Sequence, residues 1–133
     1  MIFFHFMVHQ KGVYFMIILQ LLILLIVFFH IYFFILESFL YTGNKGKKIF
    51  NLSEEMVHCT KGLAFNQGFY NLCLGLGLLF GLYLNNQPLI ISLLFFVVVV
   101  GIVGAFSFSK RIFWIQAFPA IVALLGYAYI ALI

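Results

Sequence analysis

The chain has 133 residues, 66% of them hydrophobic and 8% charged, with seven Lys and Arg against three Asp and Glu for a net charge of +4. A soluble domain carries about 25% charged residues and could not cover its surface with so few. The composition therefore excludes a soluble globular domain. Because the basic residues sit at the ends of apolar runs and in the connections between them, it also gives no support to nucleic-acid binding.

Residues 1–12, with His5, His9 and Lys11 among aromatics, are expected to form an N-terminal extension. It is either an interfacial arm or the product of an upstream start codon, Met7 and Met16 being alternative starts. Residues 13–133 are expected to form a single four-span membrane domain. A spanning helix needs ~20 apolar residues to cross ~30 Å of hydrocarbon. The first candidate, about 13–40, exceeds that and implies tilt or extension past the interface. It is too long for a signal-peptide core, and no small-residue cleavage site follows it, so a cleaved signal is not expected.

Thr42-Gly43-Asn44 ends the first span, and Lys45, Lys47 and Lys48 mark a hydrated connection. Ser53 followed by Glu54 and Glu55 has the form of a helix start, a hydroxyl cap with acidic residues in the first turn. One helix is therefore expected from near residue 54, spanning at about 62–84. Asn85-Asn86-Gln87-Pro88 is a tight polar turn. The third span is expected at about 89–109, ended by Lys110-Arg111, and the fourth at about 112–132, with Trp114 at the interface. The fold class is all-α, a four-helix transmembrane bundle. Gly77-x-x-x-Gly81 and Gly101-x-x-x-Ala105 are small-residue pairs that would let backbones approach one another.

Lys45, Lys47, Lys48, Lys61, Lys110 and Arg111 fall on one side of the bundle and only Lys11 on the other. By the positive-inside rule the lysine-rich side is cytoplasmic, which gives a multi-pass protein of the cell membrane with both termini outside.

Few polar side chains lie within the spans. His30 and Glu37 are seven apart and so share a helix face, separated by ~10 Å along the axis. Asn66, Gln67 and Asn71 occupy the first third of the second span. Gln116 lies one turn into the fourth, just before Pro119, which removes a backbone donor. Three helices thus place polar groups at similar depth. Polar groups facing lipid go unsatisfied, so these residues are expected to turn inward and line a ligand or proton pocket, with Lys61 as an ion-pair partner of Glu37.

Metal binding by His30, Glu37, His58 and Cys59 has no recognised spacing behind it, and no metal or cofactor is expected. Cys59 and Cys73 form no CxxC pair and read as free thiols. No nucleophile–histidine–acid spacing and no phosphate-cradling glycine loop is present.

Four segments are also similar to a known family. His30-Ile-Tyr32-x-x-x-Leu36-Glu37-x-Phe39, Gly46-Lys47-Lys48-Ile49-Phe50-x-Leu52-Ser53, Asn66-Gln67-Gly68-x-Tyr70-Asn71 and Gln116-x-x-Pro119-Ala120 resemble the signature of DUF1304. This is a small bacterial integral membrane family of unknown function. The resemblance runs from about Val13 to the C-terminus, and Asn66 to Asn71 is its most specific part. It departs at Phe29, where the family usually has Glu, so Glu37 is the only acid on its face. What the resemblance implies is a four-span bundle with a motif-bearing interior; it implies no activity.

Three functions follow as expectations. The first is an integral membrane protein that binds a small molecule, a lipid-like ligand or a proton in a polar pocket in the inner half of the bilayer. The second is a structural or partner-assisting membrane subunit, with the polar residues as interhelical glue. The third is a membrane enzyme acting on a lipophilic substrate. The expected partners are the lipid bilayer and a small-molecule or lipid ligand; a homo-oligomer is compatible with the sequence, and nucleic acid is not expected.

Overall fold

The computed structural model describes the backbone of residues 2–132 and the side chains of residues 12–132. The side chains of His5, His9 and Lys11 lie outside the described residues. Among the described residues there are five helices and no strands. Helix α1 spans Ile2–Ile35 and continues as a π-helical segment over Leu36–Leu40. The short α2 covers Asn44–Phe50, α3 Glu54–Tyr83 and α4 Gln87–Ser107. Helix α5 covers Lys110–Leu132, with a second π segment at Phe113–Ala117. The expected N-terminal extension is continuous with the first span, since α1 has no break at Gly12.

Among the described residues four helices are long and apolar enough to cross a membrane: Gly12–Leu40, Glu54–Tyr83, Gln87–Ser107 and Lys110–Leu132. In hydrocarbon every backbone polar group must be paired within its own segment, so uninterrupted Leu, Ile, Val and Phe runs settle as helices. Consecutive spans are antiparallel neighbours, and α5 returns to pack on α1, closing the bundle. Ile23, Leu78, Leu94, Val97, Ala120 and Ala123 are fully buried in its core. Large apolar side chains such as Phe28, Phe95 and Leu125 point outward, as lipid-facing positions do.

The connections follow local chemistry. Ser53 caps α3 by accepting a hydrogen bond from the Met56 amide at 3.2 Å, and Glu54 and Glu55 occupy the first turn. Asn86 caps α4 in the same way, accepting from the Leu89 amide at 3.1 Å. That cap starts the third span at Gln87, two residues earlier than the sequence suggests, with Pro88 in the first turn, where its missing donor costs nothing. Asn51 and Asn85 adopt positive φ (53° and 50°) where α2 and α3 end, as asparagine does more readily than most residues.

The first connection differs from expectation. It is not a plain hydrated loop but carries α2, whose Phe50 stacks on Tyr41 at the end of the first span and on Phe108 at the end of α4. Lys47 forms an ion pair with Glu54. The lysine-rich loop therefore lies across the end of the bundle and ties α1, α3 and α4 together.

Candidate functional site

The site is built on the seam between α1 and α3. Two glycines on α3, seven residues apart, meet two residues on α1, also seven apart: Gly75 lies against His30 and Gly68 against Glu37. A Cβ on Gly68 would stand 3.3 Å from the Glu37 Cβ and 3.2 Å from the Phe34 carbonyl oxygen, and would overlap the Ser38 hydroxyl. Only a glycine lets the helices approach this closely, and the approach brings Asn71 to Glu37. The Asn71 amide donates to Glu37 Oε2 at 2.7 Å. The pair joins α1 to α3, with Asn71 buried and Glu37 half-buried.

Glu37 and Ser38 lie in the π segment that ends the first span. A π turn is wider than an α turn, and single turns of this kind occur disproportionately at functional sites. Beside it a cleft of about 320 Å³ opens between the end of α1 and the early turns of α3. Glu37 and Ser38 line it from the π segment, Tyr41 and Thr42 from the turn that follows, and Lys61, Gly62 and Phe65 from α3. Thr60 donates to the Met56 carbonyl at 2.6 Å, so its oxygen accepts from the Tyr41 hydroxyl at 2.7 Å and fixes that ring beside the cleft. Glu37 Oε1 has no protein partner among the described residues and is left to the cleft. The Ser38 hydroxyl is shielded from solvent and also lacks a partner.

The six residues expected to share a pocket do not converge. Glu37 and Asn71 are bonded. His30 lies on the same seam but two turns deeper and almost fully buried. Its Nδ1 donates to the Ile26 carbonyl of its own helix at 2.8 Å, leaving Nε2 without a partner. Asn66 and Gln67 are exposed on the outside of α3. The step that sets Gly68 against Glu37 makes them level with Phe39 and Ser38, in the last turn of the first span. There a carboxamide reaches the hydrated interface without turning inward, which is why the energetic argument for convergence does not hold at that depth. Gln116 is half-buried and makes no side-chain hydrogen bond among the described residues. It belongs to the α4–α5 seam, where Ala117 packs on Gly101, and does not reach the cleft. Lys61 lines the cleft as Glu37 does, but no ion pair joins them; among the described residues the ion pair is Lys47 with Glu54.

Ser38, Tyr41, Thr42 and Phe65 were not singled out by sequence reasoning. Ser38 and Thr42 had a signal in lying one and five positions beyond an intramembrane acid. Tyr41 and Phe65 had none beyond aromatic character near a span end. Among the described residues no group of three or more His, Cys, Asp or Glu side chains is placed to hold a metal ion. His58 and Cys59 are exposed in the early turns of α3.

The family model described as "Protein of unknown function (DUF1304)" matches residues 24–128. An uncharacterized protein of Lactococcus lactis subsp. lactis, YpaA, is 33% identical over 99 residues, covering 71% of this chain and 83% of that protein. No solved structure matches.

Proposed function

The chain belongs to DUF1304, a bacterial family of unknown function, and from that premise we propose that it is a membrane receptor or carrier that binds a small molecule in the Glu37 cleft. The observation that carries this reading is the state of the carboxylate. One oxygen is held by Asn71, while the other has no protein partner among the described residues, and the residue lines a cleft shared with Lys61 and Thr42. An acid kept in a spanning segment costs ~2.5–3.5 kcal/mol at a helix centre and less near an end. Interhelical bonding alone recovers ~0.6 kcal/mol on average. The unused oxygen is better explained by a ligand than by glue. The cleft volume also falls at the lower edge of small-molecule sites, ~300–1,000 Å³.

The cleft lies at the end of the bundle that holds Lys45, Lys47, Lys48, Lys61, Lys110 and Arg111, with only Lys11 at the other. In this reading that end faces the cytoplasm, both termini face outward, and the site opens in the inner leaflet region. Native mass spectrometry of protein extracted directly into nanodiscs tests the proposal. Wild type should carry a small-molecule adduct that Glu37→Gln loses. Identical spectra from the two proteins would refute it.

A second reading, a scaffold subunit with the polar pair as glue, is favoured by the Asn71–Glu37 bond crossing the seam. It predicts that Glu37→Gln, which keeps a hydrogen-bonding side chain, preserves every property of the protein.

A further inference from the structure

The cleft has a direction. Glu37 is level with Gly68 on α3, and Lys61 lies seven residues nearer the polar end of that helix. Seven residues correspond to ~10 Å of rise, so the carboxylate sits at the inner end of the cleft and the ammonium at its mouth. Between them lies Thr42, with Phe65 as an apolar wall. Gly62 contributes no side chain, and a Cβ there would meet nothing within 4 Å, so the mouth is open.

Resting on the reading that this cleft is a binding site, we propose that its ligand is a small soluble zwitterion whose amine and acid stand at opposite ends of a short chain. It enters amine first from the aqueous side. Its ammonium meets the free Oε1 of Glu37, its anionic group meets Lys61, and its methylenes lie against Phe65. The half-buried Glu37 is penalised when its charge is left alone, and the exposed Lys61 adds orientation, so a ligand lacking either charge binds less well. The same order disfavours the other source of such chemistry, an aminophospholipid headgroup. In a bilayer the phosphate lies nearer the hydrocarbon than the amine does, which would set the phosphate against Glu37 and the amine against Lys61, like charge against like.

Calorimetric titration of the full-length protein in nanodiscs with defined probes tests this. The probes are δ-aminovalerate, n-pentylamine (which lacks the acid), valerate (which lacks the amine) and glycerophosphoethanolamine. Wild type should bind δ-aminovalerate at least about tenfold more tightly than any of the others. Lys61→Gln should weaken δ-aminovalerate to the level of n-pentylamine and leave n-pentylamine unchanged, and Glu37→Gln should abolish both. Gly62→Leu, which adds bulk at the mouth into open space, should block δ-aminovalerate without lowering thermal stability. If n-pentylamine binds as tightly as δ-aminovalerate and depends on Glu37 alone, the zwitterion is overturned while the cleft stands as a site. If glycerophosphoethanolamine binds best, the headgroup is the ligand and the proposed direction is wrong. If no probe distinguishes wild type from Glu37→Gln or Gly62→Leu, the inference and the binding reading both fall.

Discussion

The two halves of the bundle are built differently. In the half towards the α3–α4 turn the helices are regular and the contacts are made by side-chain ends. A Cβ added to Gly77 would meet Leu93 Cδ1 at 3.0 Å, one on Gly81 would meet Ile90 Cγ1 at 2.7 Å, and one on Gly126 would meet Leu19 Cδ1 at 3.0 Å. In the lysine-rich half the first and fourth spans carry π turns, and three glycines there press on backbone or on an adjacent helix, while Gly104 meets the Ile112 side chain. Gly46 abuts the backbone of Leu40 and Tyr41, Gly68 abuts Ser38, Phe34 and Glu37, and Gly101 lies 2.9 Å from the Ala117 amide nitrogen at its Cβ position. The far end of a flexible side chain can shift to admit one methyl group, whereas backbone cannot. The half that holds the cleft is therefore the one whose geometry is specified most tightly. A binding site needs that, and a bundle serving only as a scaffold does not.

The sharpest test of this difference is glycine substitution. Gly101→Ala and Gly68→Ala should each destabilise the protein by about 1–3 kcal/mol or more, since the added methyl meets backbone or an adjacent helix. Gly68→Ala should also displace Glu37 and remove whatever binding the cleft supports. Gly77→Ala and Gly126→Ala come closest to leucine methyls, which can shift, and they gain ~0.5–1 kcal/mol of helix preference, so the net change should be near zero. Thermal unfolding in one detergent reads all four. Equal losses at the two ends would show that the halves do not differ in rigidity.

Next in size is the polar pair. Glu37→Leu leaves the buried Asn71 amide without its acceptor and should cost ~1–3 kcal/mol, as should Asn71→Leu for the reason reversed. The double variant should cost less than the two singles together, by ~0.6–1.7 kcal/mol, the range found for hydrogen bonds between spanning helices. Additive losses would mean that the bond contributes nothing and that the pair is not what holds the seam. The carboxamides on the outside of α3 supply the contrast. Asn66→Leu and Gln67→Leu should change stability by no more than ~0.5 kcal/mol and leave binding intact.

How far the sequence reveals this can be judged from the same residues. The four spans were legible because hydrocarbon tolerates few alternatives to a long apolar helix, and the caps at Ser53 and Asn86 belong to local chemistry that short stretches carry. His30 and Glu37 share the expected face because a spacing of seven survives packing. Pro119 marks the second π segment: without its amide, and with its ring against the Ile115 carbonyl, the preceding turn widens over Phe113–Ala117. No such residue marks Leu36–Leu40, so the turn carrying Glu37 and Ser38 could not be foreseen. Nor could the outward direction of Asn66 and Gln67. Depth alone suggested they should turn inward, but the register of α3 on α1, set by Gly68 and Gly75, decides both their level and their face.

A change whose two parts nearly cancel is expected where the two halves meet, at His30. In the neutral ring Nδ1 donates to Ile26 and Nε2 is an acceptor with no partner in a region walled by Ile26, Val27 and the Gly75 surface. An unpaired buried acceptor carries a desolvation cost of ~1–3 kcal/mol, which a leucine would not incur. Against that, His30→Leu loses one hydrogen bond to a carbonyl that an α-helix already satisfies, and the two changes should cancel to within ~1 kcal/mol. A loss of 2 kcal/mol or more on thermal unfolding would mean that Nε2 is engaged, by an internal water or by a proton shared along the seam. The polar half would then extend two turns deeper than the cleft, and the boundary between an adaptable core and a specified site would have to be drawn above His30 instead of below it.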